Sequence, residues 1–134
     1  KIRTIMEILF AVGQILFGGF FILNAFNHLT KLDGMSAYAK SMGVPMPKLA
    51  VAGSGLLILF GGLGILLGIY VKLAVLLIVL FLLPVSFQMH AFWKISAPGQ
   101  RMGEMTNFLK NMALLGAALM LLAIPVSSWT IKLF

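Results

Sequence analysis

The 134-residue sequence contains no cysteine. That absence excludes disulfides, thiolate metal sites, iron–sulfur clusters held by this chain and any dithiol relay within it. Sulfur redox chemistry, if the protein serves any, must be carried by another subunit. Charge is also scarce: only 10% of residues are Asp, Glu, Lys or Arg, and three are acidic. Soluble domains are about a quarter charged, so a water-soluble core could not be covered here. So few acids also leave little for a metal site. A zinc site wants three or four protein ligands, and beside two histidines only Asp33 and Glu104, both in connections, are within reach of such a role. No metal ligands and no catalytic residues are assigned. The short alternating segments of a membrane barrel are missing as well.

What is present is apolar: 61% of residues are hydrophobic and the mean hydropathy is +1.09. Four runs carry this. Residues 49–71 and 112–131 hold no charged group, 73–93 holds only His90 as a group that can be charged near neutral pH, and 8–29 only His28. A helix rises ~1.5 Å per residue, so ~20 apolar residues cross a ~30 Å hydrocarbon layer. The chain therefore reads as all-α, a transmembrane four-helix bundle forming one domain over residues 1–134. Its helices are expected near 5–27, 47–69, 72–93 and 107–124. The first run is too long for a signal peptide and lacks a clear small-residue cleavage site, so it is expected to be retained.

The connections add detail. Between the first and second spans, Asp33 or Ser36 can cap a short interfacial helix whose apolar stripe is Met35, Tyr38 and Met42. Gly43 stops it and Val44-Pro45 forbids its continuation. This piece is expected on the membrane surface or folded back as a lid. Pro47 suits a first helical turn. Pro84, inside the third span, cannot bond the Leu80 carbonyl and leaves a polar acceptor there. Residues 95–105 read as a polar connection broken by Ala97-Pro98-Gly99, with Thr106 or Asn107 capping the last helix. Four crossings put both termini on one side and the two polar connections on the other. Six basic residues lie on the connection side and four on the terminal side, which leans slightly toward exterior termini. The net charge of +7 sits at helix ends and in loops, facing lipid phosphates. Membrane lipids are the expected partners, and no motif indicates nucleic acid.

Small residues recur at helical spacing. Ser54, Gly61 and Gly68 are seven apart, and Gly64 joins them, so one face of the second span is suited to close helix packing. The glycine-rich stretch lacks the GKS/T ending of a phosphate loop. Gly116 with Ala113 and Ala117 is expected to pack similarly on the fourth span.

Polar side chains inside a membrane should face the bundle interior or a cavity. Asn24 and His28 share a helical face. Ser86, His90 and Trp93 make another at i, i+4 and i+7, with Gln88 pointing elsewhere. Lys110 and Asn111 open the fourth span. Topology puts all three groups at one membrane side, where they can converge. Plainer roles exist for each: a belt anchor for Trp93, a snorkelling charge for Lys94, a headgroup contact or cap for His28, Lys110 and Asn111, interhelical bonding for Gln14, an Arg3 ion pair for Glu7. Haem held by His28 and His90 rests on two histidines only. A quinone fits better, needing oxygen partners, a proton-exchanging group and flat walls. In that reading His90 exchanges protons, Asn111 and Lys110 orient oxygen, Ser86 supports His90, and Trp93 and Phe92 are walls.

The chain resembles the DoxX family of small four-helix membrane proteins. The resemblance lies in the His28 helix exit, GMSAYAKSMGVPMPKL, SGLLILFGGLGILLG, and above all PVSFQMHAFWK followed by NFLKNMALLGAAL. It implies a membrane protein linked, in some relatives, to a thiosulfate:quinone oxidoreductase or to redox and detoxification roles. Many relatives carry a glutamate about where this chain has Ile58. The expected function is binding of a quinone-like apolar small molecule as membrane subunit of a redox system, with a redox partner subunit or a second copy as partner. The rival is a non-catalytic scaffold or accessory subunit.

Overall fold

A computed structural model describes residues 2–133. Five α-helices follow one another: α1 (Ile2–Thr30), α2 (Leu32–Ser41), α3 (Pro47–Leu67), α4 (Val71–Met89) and α5 (Pro98–Leu122). Single 3-10 turns cover Phe92–Lys94 and Val126–Ser128. Four segments are long and apolar enough to cross a membrane: α1, α3, α4 with the turn after it, and α5. Among the described residues there is no strand. The outside of the bundle is apolar, with Leu16, Leu23 and Phe26 each about two-thirds exposed. Such a surface suits acyl chains, since hydrophobic side chains there need no cover from water.

Around the bundle, α1 packs on α3, α3 on α4 and α4 on α5, while α2 folds back across α3. The fully buried centre is built from Phe21 of α1, Ile58 and Ile65 of α3, and Val75, Ile78 and Leu82 of α4. Glycine lets these helices meet. Gly61 and Gly64 lie against Ala74 and Ile78 of α4, where added Cβ atoms would stand 2.7 Å from Ile78 Cγ1 and 2.5 Å from Ala74 Cβ. A second glycine face, Gly55 and Gly62, also seven apart, approaches α1. At its centre Gly62 and Gly18 oppose each other, and a Cβ on Gly62 would come 2.8 Å from the Gly18 carbonyl oxygen. Ser54 instead borders a cavity described below. Gly116 has nothing within 4 Å of a built Cβ, and Ala118 rather than Ala113 or Ala117 is the buried small residue of α5.

Helix ends differ from expectation in three places. The last helix begins at Pro98, not near Thr106, because Pro at the first helical position follows an extended Ala97 and gives up a bond that would be unmade anyway. Neither Asp33 nor Ser36 caps α2. The chain passes from α1 into α2 through Lys31, whose N–H donates to the Asn27 carbonyl at 2.8 Å while its own carbonyl accepts from Met35 at 3.0 Å. Finally, α4 runs through Pro84 but stops at Met89, so His90 leaves the helix and Trp93 lies in a separate turn. The Ser86–His90–Trp93 edge therefore does not exist as one helical stripe.

At the terminal side the bundle is sealed. The Gln14 side chain, 3% exposed, donates to the carbonyls of Ile65 (3.0 Å) and Ile131 (2.9 Å) and accepts from the Ile131 N–H (2.9 Å). This ties the C-terminal segment to α1 and α3. Gly68, in left-handed backbone (φ 66°), leaves the space that Ile131 and Lys132 occupy. Trp129 is buried edge-on against Phe10.

Gly62→Ala is expected to lower the melting temperature in detergent by roughly 5 °C or more, because backbone stands on the far side of the new methyl and cannot yield cheaply. Gly13→Ala, with nothing within 4 Å, should leave it unchanged. Equal melting of the two variants, followed by intrinsic fluorescence, would show that the α1–α3 crossing does not need the glycine pair.

Candidate functional site

On the connection side the helices part around a mostly apolar cavity of about 670 Å³. Its walls come from every helix: Phe20, Asn24 and His28 of α1, Met35 and Tyr38 of α2, Val51 and Ser54 of α3, Phe81 and Pro84 of α4, and Lys110 and Asn111 of α5. His90, just past α4, also borders it. Little direct packing joins α1 to α5, so these two helices flank the space while α3 and α4 form its floor. The lid is α2, pinned at its C-terminal end by Gln88, whose Nε2 donates to the Met42 carbonyl at 2.9 Å.

Of the eight side chains expected at a site, five border this cavity: Asn24, His28, His90, Lys110 and Asn111. Ser86 does not. It is fully buried and its hydroxyl donates to the Leu82 carbonyl one turn back, which offers no support to His90. Phe92 and Trp93 are not cavity walls either. They stack with Phe87 and Phe108 in an edge-to-face cluster beside α5. The flat walls are instead Phe20 and Phe81, and His28 stands edge-on to Phe81 at 5.7 Å between ring centres.

Asn111 is the most informative of the five. Its side chain is 5% exposed, borders the cavity and makes no side-chain hydrogen bond among the described residues. A carboxamide in hydrocarbon without a partner costs several kcal/mol. Ser36 Oγ and Trp129 Nε1 also lack partners, but neither residue borders the cavity. Lys110 holds its ammonium 5.5 Å from the centre of the Phe20 ring, a cation–π arrangement that keeps the charge at the rim.

Two residues outside the expected set complete the site. Glu104 of α5, 9% exposed, takes a hydrogen bond from the Tyr38 hydroxyl on Oε1 (2.8 Å) and from His90 Nδ1 on Oε2 (2.5 Å). One carboxylate thus joins the lid, the end of α4 and the start of α5. Both donors suit a buried carboxylate, which is costly unless its lone pairs are met. Burial first, then the hydrogen bond and charge of Glu104, holds the Tyr38 hydroxyl above its usual pKa of 10.0. Since the folded state favours the protonated phenol, the bond contributes fully below pH 10 and fades only as pH climbs past it. Sequence reading placed Glu104 in a loop. The available signal was spacing: Glu104, Asn111 and Ala118, the buried residues of α5, are seven apart.

The DoxX family model matches residues 9–91. The chain is 30% identical to the inner membrane protein YphA of Escherichia coli (strain K12) over 102 residues, 75% of this chain and 71% of that protein. This chain belongs to the DoxX family. As a family member with four spanning helices, it is a multi-pass protein of the inner membrane. No solved structure matches it. In this DoxX-family chain the matched residues include Asn24, His28, Tyr38 and His90, whereas Glu104, Lys110 and Asn111 lie beyond them. At the position where the resemblance expects a glutamate, Ile58 is fully buried in the apolar centre. The acid of this site comes from α5.

Removing the carboxylate should free the lid. Glu104→Ala is expected to raise amide hydrogen exchange of α2 about tenfold, as bonds to a charged group are worth more than neutral ones, and Tyr38→Phe should give a smaller rise. Unchanged exchange in the Ala variant would show that the Glu104 bonds do not hold the lid down.

Proposed function

We propose that this protein binds a flat, apolar small molecule carrying hydrogen-bonding oxygens, a quinone or a close analogue, as the membrane subunit of a redox system. One observation carries the reading: a cavity of about 670 Å³, mostly apolar, bordered by a nearly buried Asn111 whose amide has no hydrogen-bond partner among the described residues. Cavities of this size and composition suit small ligands, with a few polar groups fixing orientation. Phe20 and Phe81 sandwich or edge a ring, Asn111 and Lys110 reach its oxygens, and His28 and Asn24 face it from α1.

His90 keeps the proton-exchanging role in this reading, with Glu104 as its orienting partner. A carboxylate on Nδ1 fixes the imidazole tautomer and leaves Nε2 to work outward. This pair stands at the connection end, where the helices leave the apolar layer and protons can be exchanged with water. Two-electron chemistry needs an electron partner. The chain has no cysteine, so a thiol or cluster would belong to a separate subunit.

Lipid extracts of the purified protein, analysed by mass spectrometry, should contain a quinone in near-stoichiometric amount. Asn111→Leu, close in shape but without the amide, is expected to weaken binding of a short-chain quinone by about tenfold while the melting temperature of the ligand-free protein rises. No enrichment in the extracts together with unaltered binding by the variant would favour a scaffold role over a binding role.

A further inference from the structure

Hydrogen-bonding capacity on the cavity wall is unevenly divided. His28 spends its donor inward: Nδ1 lies 2.8 Å from the Asn24 carbonyl, an oxygen that only accepts, so the ring proton sits on Nδ1. Nε2 is left as a lone pair, without a protein partner among the described residues and not sealed from the cavity that its ring borders. Gly55 lies against the His28 Cβ, and Phe81 stands across the ring, so the imidazole has little room to turn. Asn24 gives one N–H to the Phe20 carbonyl (2.8 Å) and keeps its oxygen free. The Ser54 hydroxyl donates to the Val51 carbonyl (3.0 Å) and keeps its lone pairs. Pro84 has no N–H for the Leu80 carbonyl, and both residues border the cavity.

Acceptors therefore predominate. Uncommitted donors are the remaining carboxamide N–H groups of Asn24, Asn111 and Gln88, each beside an acceptor oxygen, and Lys110, which sits at the rim over Phe20. An acceptor-rich wall calls for a ligand that donates. A cation is a poor match, because both oxygens of Glu104 are taken and Lys110 would repel it. A neutral hydroxyl is the remaining match.

We infer that the cavity selects the reduced, hydroxyl-bearing form of its ligand, an aromatic diol, and that His28 Nε2 accepts one ligand O–H. This rests on the quinone-type reading above and adds the redox form and the residue that reads it. His28 is thereby a specificity residue, distinct from His90, whose Nδ1 is held by Glu104. A site that hydrogen-bonds a hydroxyl rejects the analogue lacking it, because its own polar group is then left unpaired. Hydroxyls on an apolar body could also come from a lipid headgroup such as phosphatidylglycerol.

The test uses the full chain in phosphatidylcholine nanodiscs under anaerobic conditions, with equilibrium dialysis of three probes. These are a short-chain 1,4-benzoquinol, the matching quinone, and the quinol dimethyl ether, which keeps the shape without the donors. The quinol should bind about tenfold more tightly than either of the others. His28→Asn, able to retain the inward bond to the Asn24 carbonyl, should erase that advantage, and His28→Gln, which carries an amide toward the Nε2 position, should restore part of it. Equal or tighter binding of the quinone would overturn this inference while leaving the quinone-type reading standing. Binding of none of the three probes would overturn that reading itself. Displacement of the quinol when phosphatidylglycerol replaces half the phosphatidylcholine would identify lipid hydroxyls as the occupant and reject the aromatic diol.

Discussion

Each polar side chain in this bundle must find its partner inside, because hydrocarbon offers none. Two carboxamides at opposite ends meet that constraint differently, although Trp129 Nε1 at the terminal end also lacks a partner among the described residues. At the terminal end Gln14 meets it completely, with three hydrogen bonds to backbone of α3 and the C-terminal segment. At the other end Asn111, a carboxamide of nearly the same chemistry and burial, has no side-chain hydrogen bond among the described residues. Neither residue is unusual alone. The contrast is between a carboxamide that ties elements together and one that faces the cavity.

The lid follows from the same constraint. Leu32–Ser41 is too short and too polar to cross a membrane, yet it is not left lying on the surface. Ser36 and Ala39 are buried, Gln88 bonds its C-terminal end, and Tyr38 reaches the carboxylate of Glu104. Seven residues of helix separate Glu104 from Asn111, about 10 Å along α5. The cavity thus has an outer end built from a saturated ionic cluster and an inner end with an unsatisfied amide.

Hydropathy made the four spans legible, because membrane crossing demands long uninterrupted apolar runs and little else imitates them. Convergence of Asn24, His28, His90, Lys110 and Asn111 was legible from topology, since three helices meet at the connection side. What escaped was local. Ala97-Pro98-Gly99 reads as a break, but proline also starts helices, and this second meaning carries α5 back far enough to include Glu104. The assignment of Ser86, Phe92 and Trp93 failed because it extended α4 through His90, whereas the chain turns out of the helix there. Gly55 and Gly62 were overshadowed by the Ser54–Gly61–Gly68 repeat one residue earlier, although the heptad spacing is identical.

The placement of the acid has a physical rationale. Resemblance to the family suggested a carboxylate near Ile58, at the centre of the apolar layer, where an ionised group is most expensive. Position 58 is here fully buried in the apolar centre of the bundle. Glu104 stands instead at the layer's edge, between a phenol and an imidazole that together meet both oxygens. In that position one carboxylate meets the lid through Tyr38 and the end of α4 through His90 at once. Ile58 lies outside the cavity lining, so the apolar centre and the polar wall formed by Asn24, His28 and Asn111 are separate regions of the bundle, and the carboxylate sits with the lid rather than with either.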